Sequence, residues 1–146
     1  MHSRIVVLDD EPELDLDSVF EEMQSYGNGV DYISESEDDF DEDYKWFMDY
    51  VEDFGFEKVE YKSKGFKIAD ESKFWNAMQR DVEKLLEDGM KESRFRIYDR
   101  TGMKNTFWIY YEGQLWTLPY FVEFNARNGT GKKNEFKIYK FLDYHY

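Results

Sequence analysis

Hydrophobic and acidic residues alternate with a helical period between residues 31 and 57. At 100° per residue, five carboxylates fall within an arc of about 120°, and the large apolar side chains fall roughly between 180° and 340°. The acidic arc contains Asp41, Glu42, Asp49, Glu52 and Asp53, and the apolar arc contains Phe40, Tyr44, Phe47, Met48, Tyr50, Val51 and Phe54. Gly55 is placed to end the helix, because glycine adopts the left-handed conformation at little cost. The pattern predicts an amphipathic helix with an anionic exposed face.

The same periodicity predicts two further helices. Ser18 and Glu21 have the spacing of a capping box, which predicts a short helix that stops at the glycines of residues 27–29. Asp70 or Ser72 is expected to cap a longer helix that runs to about residue 88. The apolar positions of this longer helix share one face and are predicted to be core: Phe74, Trp75, Met78, Val82, Leu85 and Leu86.

Short apolar runs elsewhere in the chain predict β-strands. Residues 4–8 read as a buried strand, residues 30–33 as a short one, and residues 59–61 and 66–68 as a hairpin. After residue 93 the period changes to two, and strands at 95–98, 106–111, 115–124 and 135–142 predict an antiparallel meander. Pro119 is expected at an edge or a bulge, since it cannot donate to the ladder.

These elements predict one α+β domain over residues 1–146. Its antiparallel sheet of four or more strands would pack against two or three helices, with an acidic N-terminal part (1–57) and a sheet-forming C-terminal part (93–142). A chain of 146 residues with 20% aromatic residues can bury a normal core. It contains no cysteine, which excludes disulfides and thiolate metal sites. No apolar run at the N-terminus resembles a signal peptide or a membrane span, so a cytoplasmic protein that does not bind membranes is expected.

Charge is distributed unevenly along the chain. Residues 1–60 contain 21 acidic and 3 basic residues, a charge of −18, and residues 61–146 contain 12 acidic and 16 basic residues, a charge of +4. An anionic surface repels nucleic acids and accelerates encounter with basic proteins. Counting Asp43, six carboxylates would span about 20 Å from Asp41 to Asp53, or one per roughly 3.3 Å, close to the phosphate spacing of one nucleic-acid strand.

Two sequence features suggest enzymatic or phosphate-binding chemistry. Asp9, Asp10 and Glu11 follow the first strand, which resembles the acidic Mg²⁺ pocket of phospho-receiver domains, although the later phospho-accepting aspartate and the distal lysine have no counterpart. A metal-dependent enzyme using these three acids is a third hypothesis. The segment 129–133 resembles a phosphate-binding loop, but it joins two predicted strands and is read as a hairpin tip. His2 and His145 are expected at frayed chain ends, so no histidine-based metal site or catalytic triad is expected, and no cofactor is predicted.

The alternative function is direct binding of nucleic acid by the C-terminal sheet. Cations interleaved with aromatic residues on a sheet can hold single strands through stacking and charge. The candidate side chains are Arg94, Arg96, Arg100, Lys104, Arg127, Lys132 and Lys133, with Trp108, Tyr110 or Trp116.

The preferred hypothesis is a non-enzymatic acidic inhibitor that occupies a basic nucleic-acid-binding cleft of a partner protein and does not itself bind nucleic acid. Small, cysteine-free, aromatic-rich acidic domains are typical of phage anti-defence proteins (anti-restriction, anti-CRISPR) and of toxin-immunity proteins; this is an analogy of type, without a shared motif. The candidate partner-binding residues are Glu35, Glu37, Asp38, Asp39, Asp41, Glu42, Asp49, Glu52 and Asp53.

Overall fold

The computed structural model describes residues 2–9, 14–26, 29–60, 62–87, 107–126 and 133–146, with the backbone alone at residues 81, 82 and 84–87. The elements in chain order are β1 (His2–Leu8), α1 (Leu16–Ser25), β2 (Tyr32–Glu35), α2 (Phe40–Val51), a 3₁₀ turn (Glu52–Phe54), β3 (Phe56–Val59), β4 (Gly65–Ile68), α3 (Glu71–Glu87), β5 (Trp108–Tyr111), β6 (Gln114–Trp116), α4 (Leu118–Asn125) and β7 (Glu135–His145). The predicted strand at 95–98 lies outside the described residues.

The seven described strands form one sheet, which confirms the predicted α+β class. The strand order is β3-β4-β7-β1-β5-β6, and β2 also pairs with β7. Strand β7 is central: it pairs antiparallel with β4, with β1 and with β2. Among the described strands only β1 and β5 run parallel. The sheet is therefore mixed and mostly antiparallel, and the predicted C-terminal meander is wrong because β1 pairs between β7 and β5.

Helices cover both faces of the sheet, so alternate residues of β1 enter two different cores. Val6 and Leu8 pack with α2, α3 and α4 in the larger core. Ile5 and Val7 pack with α1 and the buried Trp108 in the smaller core. This explains why residues 5–8 form a continuous apolar run, since a strand buried on both faces needs no polar alternation.

The largest error of the sequence reading is at residues 115–124. The predicted strand ends at Trp116, and residues 118–125 form helix α4. Pro119 lies in the first turn of this helix, where its missing N–H would have had no partner. The first turn closes when the Phe121 N–H donates to the Thr117 carbonyl, 2.8 Å away. The proline is therefore a helix-start signal and does not mark a strand edge.

The other predicted elements are close to those observed. Helix α1 is capped by Asp15, not Ser18, because the Asp15 carboxylate accepts the Asp17 N–H. The Asp70 carboxylate accepts the Lys73 N–H at 3.0 Å, which confirms the predicted cap of α3. Within α3, Phe74 and Met78 are buried as expected; the side chains of residues 82, 85 and 86 lie outside the described part of the chain. Strand β2 begins two residues later than predicted.

Candidate functional site

All nine candidate partner-binding carboxylates are exposed in the structure. One ends β2, three lie between β2 and α2, three lie on α2 and two lie in the 3₁₀ turn. We call this surface the acidic ridge, defined by Glu35, Glu37, Asp38, Asp39, Asp41, Glu42, Asp49, Glu52 and Asp53. The helical arithmetic thus identified the outward face of α2 correctly.

The apolar face of α2 determines how the acidic ridge is presented. Tyr44, Phe47, Met48 and Val51 are buried against the sheet and α3. The Tyr44 hydroxyl donates to the Gly65 carbonyl at 2.6 Å, which ties the helix to β4. These contacts fix the rotation of α2 about its axis, so the carboxylates on the opposite side face solvent.

The end of α2 depends on a glycine. Gly55 follows the 3₁₀ turn with φ of 87°, as the sequence predicted. A Cβ atom at this position would lie 2.2 Å from the Asp70 carbonyl oxygen. The chain therefore needs glycine here for two reasons, its left-handed conformation and the close approach of the segment that leads into α3.

Asp43 does not belong to the exposed surface, although the phosphate-spacing argument counted it. It is 2% exposed and lies on the inner side of the first turn of α2. Its carboxylate accepts one hydrogen bond from Arg4 Nε at 2.9 Å and one from Ser36 Oγ at 2.5 Å. Without Asp43, five carboxylates remain between Asp41 and Asp53, or one per about 4 Å of helix axis. The match to the phosphate repeat is looser than the sequence suggested.

Arg4 of β1 holds three carboxylates from different parts of the chain. Besides Asp43, its guanidinium donates to Asp143 of β7 at 2.7 Å and to Asp38 of the acidic ridge at 2.8 Å. Burial by itself lowers the pKa of Arg4, but the hydrogen bond and charge of Asp43, with the charge of Asp143 and the Asp38 bond, raise it overall. This buried cluster attaches the start of α2 to the centre of the sheet.

Four members of the acidic ridge pair with cations of the same chain. Lys140 contacts Glu35 at 2.6 Å, Arg4 contacts Asp38, Lys45 contacts Asp49 at 2.8 Å, and Lys64 contacts Asp41. The three pairs formed by lysines are exposed and contribute about 0–1 kcal/mol each, because water screens them and both side chains lose rotamer freedom, whereas the Arg4 side chain is buried. The other five carboxylates have no cationic side-chain partner among the described residues: Glu37, Asp39, Glu42, Glu52 and Asp53.

Trp46 lies beside the acidic ridge and is not among the candidate residues predicted from the sequence. It lies four positions after Glu42 and three before Asp49, so it shares their face of α2. Its side chain is 43% exposed. The ring is held between the Arg4 guanidinium, 5.2 Å from its centroid, and the Phe107 ring at 4.9 Å. The signal that could have identified it is the position of a tryptophan next to the acidic arc and outside the apolar arc of the helical wheel.

One of the stacking residues predicted for the alternative, nucleic-acid-binding surface is not accessible to a ligand. Trp108 is fully buried in β5, beneath α1. Tyr110 and Trp116 are partly buried. Lys133 is exposed and lies 3.6 Å from the Asp9 carboxylate. The remaining cations of that hypothesis, and the segment 129–132 of the glycine loop, lie outside the described residues.

The two histidines are not at frayed ends, contrary to expectation. His2 and His145 are paired residues of β1 and β7, with ring centroids 4.7 Å apart. Each ring also contacts a carboxylate, Asp143 for His2 at 3.1 Å and Asp31 for His145 at 2.7 Å. Within the described ranges, no group of three or more histidines and carboxylates is arranged to hold a metal ion. Asp10 and Glu11 lie outside those ranges, so the acidic pocket after β1 stays a prediction.

No helix in the described part of the chain is long and apolar enough to cross a membrane. No family model matches the sequence, and comparisons with curated proteins and with solved structures found no significant similarity.

Proposed function

We propose that this protein is a non-enzymatic acidic inhibitor whose acidic ridge occupies a basic nucleic-acid-binding cleft of a partner protein. The observation that carries the proposal is the exposure of all nine ridge carboxylates around a half-exposed tryptophan. A row of anions on a rigid helix offers a basic cleft the charge pattern that it normally receives from phosphates.

The arrangement of charge within the acidic ridge favours binding over stability. Asp49 lies three and four positions before Glu52 and Asp53, and like charges at these spacings destabilise a helix by a few tenths of a kcal/mol per pair. Five ridge carboxylates have no cationic partner in the described chain. A basic partner would relieve this repulsion, and the exposed lysine pairs of Glu35, Asp41 and Asp49 are weak enough to exchange for contacts with that partner.

Trp46 adds a large hydrophobic contact surface to the otherwise ionic acidic ridge. Tryptophan is enriched among the few residues that dominate binding energy at interfaces, because it buries a large area with little loss of rotamer freedom. The contacts of this ring with Arg4 and Phe107 restrict it before any partner binds. We expect electrostatic attraction to accelerate association and Trp46 to slow dissociation.

The proposed partner is a basic nucleic-acid-binding protein, and the proposed role is of the phage anti-defence or immunity type. Direct binding of nucleic acid by this chain is not expected, since its net charge of −14 would repel phosphates. A mobility-shift assay with double- and single-stranded DNA at about 0.15 M salt should therefore show no complex.

The test is affinity capture from host-cell lysate with three baits. The first is the wild-type chain. The second neutralises the acidic ridge with Glu42→Gln, Asp49→Asn, Glu52→Gln and Asp53→Asn. The third is a matched control that removes four exposed acids elsewhere, with Asp17→Asn, Glu21→Gln, Glu83→Gln and Glu135→Gln. We expect the wild type and the control to capture the same basic protein, excess double-stranded DNA to displace it, and the ridge variant to lose it.

Salt and stability measurements separate the proposed role from a structural one. Association with the captured protein should slow steeply between about 0.05 and 0.3 M salt. The ridge variant should melt at an unchanged or higher temperature, because like-charge repulsion has been removed. Capture that is equal for both variants would contradict the proposal, and so would a ridge variant that binds normally but has lost stability.

A further inference from the structure

A pocket with aromatic walls lies between α1, β6 and α4, where β6 ends the strand order of the sheet. Its volume is about 360 Å³. We call it the aromatic pocket, after the four aromatic side chains that line it: Tyr26, Trp116, Tyr120 and Phe124. Tyr26 caps the end of α1, Trp116 ends β6, and the other two rings project from α4. Three elements that are distant in the sequence therefore contribute aromatic rings to one cavity.

The rings are accessible to a ligand and are held in place without one. Tyr26 is 43% exposed and Phe124 is 54% exposed. The Trp116 indole N–H donates to the Tyr111 carbonyl at 3.2 Å. The Phe124 ring contacts those of Trp116 and Tyr120, with centroids 6.2 and 6.1 Å apart. A ligand would therefore meet walls that are already ordered, which lowers the entropic cost of binding.

The charge around the aromatic pocket is negative. None of the described residues that line it is charged. The charged side chains on α1, β6 and α4 are all acids: Asp17, Glu21, Glu22 and Glu123. The Glu22 carboxylate accepts the N–H of the lining residue Leu115 at 2.8 Å. In addition, α1 ends at the pocket without a basic residue in its last turn, so the partial negative charge of the helix C-terminus is not offset there.

We infer that the aromatic pocket binds a soluble organic cation through a trimethylammonium group. The faces of aromatic rings are electron-rich and attract cations, and groups of such rings are a recurring way to recognise quaternary ammonium ligands. The acids of α1 and α4 add to this attraction and disfavour anions. The pocket shares no residue with the acidic ridge, so its ligand is independent of the proposed inhibitory function.

A trimethylammonium group fits this lining better than the primary ammonium of a lysine does. A primary ammonium is strongly hydrated and carries three N–H donors, which need acceptors once water is removed. No carboxylate is among the described lining residues to accept them. A trimethylammonium group has no N–H donor, and its methyl groups can pack directly against the rings.

The test is an NMR titration of the wild-type chain with choline and with the neutral alcohol in which a tert-butyl group replaces the trimethylammonium. The two compounds have nearly the same shape and differ in charge. We expect choline to bind about tenfold more tightly than the alcohol, and more tightly than ethanolamine. The methyl protons of bound choline should shift upfield, because they lie over aromatic faces.

Three variants locate the binding. Phe124→Leu keeps an apolar side chain but removes a ring, and it should weaken choline roughly three- to tenfold with little change for the alcohol. Glu22→Gln keeps an acceptor for the Leu115 N–H but removes a charge, and it should also weaken choline selectively. Tyr139→Leu is the matched control, because it removes a 42%-exposed ring of β7 outside the pocket and should change neither affinity.

Equal affinity for choline and the alcohol, including no binding of either, would overturn the proposal. Selective choline binding that survives both Phe124→Leu and Glu22→Gln would also overturn it. Co-sedimentation with phosphatidylcholine vesicles without binding of free choline would assign the contact to a lipid surface and contradict a soluble ligand. All three results leave the capture experiment unaffected, so the proposed function is tested separately.

Discussion

Removing the positive charge of Arg4 should be one of the most damaging single changes in this protein. We expect Arg4→Met to lower the free energy of unfolding by about 3–5 kcal/mol, because it leaves the 2%-exposed Asp43 carboxylate without a cation. Most of the effect comes from Asp43, since Asp38 is half exposed to water and Asp143 keeps its contact with His2 at 3.1 Å. Loss of the contact with the Trp46 ring adds about 0.5–1 kcal/mol.

Thermal and urea unfolding followed by circular dichroism would measure this loss. For a chain of this size it corresponds to a decrease in melting temperature on the order of 10 °C. Lys140→Met is a matched control, because it removes a cation from the exposed pair with Glu35 and should change stability by less than about 1 kcal/mol. Arg4→Lys should fall between the two, since an ammonium group cannot bridge three carboxylates in the same geometry.

A double variant examines the stated cause. If an uncompensated buried charge explains the loss, Asp43→Asn introduced into the Arg4→Met chain should restore part of the lost stability. The reasoning would be refuted if Arg4→Met changed the free energy of unfolding by less than about 1 kcal/mol. Full additivity of the Arg4 and Asp43 substitutions would refute it as well, because it would mean that the two charges do not interact.

Two further predictions concern the backbone and the buried tyrosines. Gly55→Ala should lower the free energy of unfolding, measured with urea, by more than Gly113→Ala does. Both glycines have positive φ, which costs alanine about 1–2 kcal/mol, but only the Cβ at Gly55 would collide with the Asp70 carbonyl. Equal losses for the two variants would contradict the structure. Burial, with the charges of Glu112 and Asp9, raises the pKa of Tyr111 to about 12, and burial also raises that of Tyr144. The unfolded chain loses these protons near pH 10 while the folded chain retains them, so the free energy of unfolding should fall as the pH rises from 10 towards 12. Tyrosine ionisation can be followed by ultraviolet absorbance. A folded protein that ionises all its tyrosines by about pH 11 would contradict this prediction.

Local patterns in the sequence were sufficient for the helix that carries the acidic ridge. The period of 3.6 residues separates Asp49 and Glu52 from Phe47 and Val51, and this separation follows from helix geometry alone. The positive φ of Gly55 and the Asp70 cap are local as well, since each depends on a few adjacent residues. For that reason, the five carboxylates of the acidic arc could be identified as exposed without any knowledge of the tertiary structure; the other four ridge carboxylates precede the helix.

Strand pairing and the direction of individual charges were decided by tertiary structure. The sequence does not indicate that β7 lies between β1 and β4, because strand pairing joins residues that are far apart in the chain. Residues 118–125 carry a run of β-favouring aromatics, and their helical state depends on packing Leu118, Phe121 and Val122 into the core. In this segment, burial of apolar side chains in the core outweighs the local preference of the aromatic residues for β-structure.

Asp43 shows the same limit within the candidate site itself. On a helical wheel it falls at about 200° from Asp41, inside the apolar arc, so the pattern indicates a buried carboxylate but does not indicate what binds it. Only the fold places Arg4 of β1 within 2.9 Å of it, and a buried carboxylate is tolerated where a cation and the Ser36 hydroxyl bind it. The sequence by itself determined that this chain carries a strongly anionic helix. The tertiary structure decided which of its charges face solvent and which hold the molecule together, because the energy of a charge depends on its surroundings and not on its position along the chain.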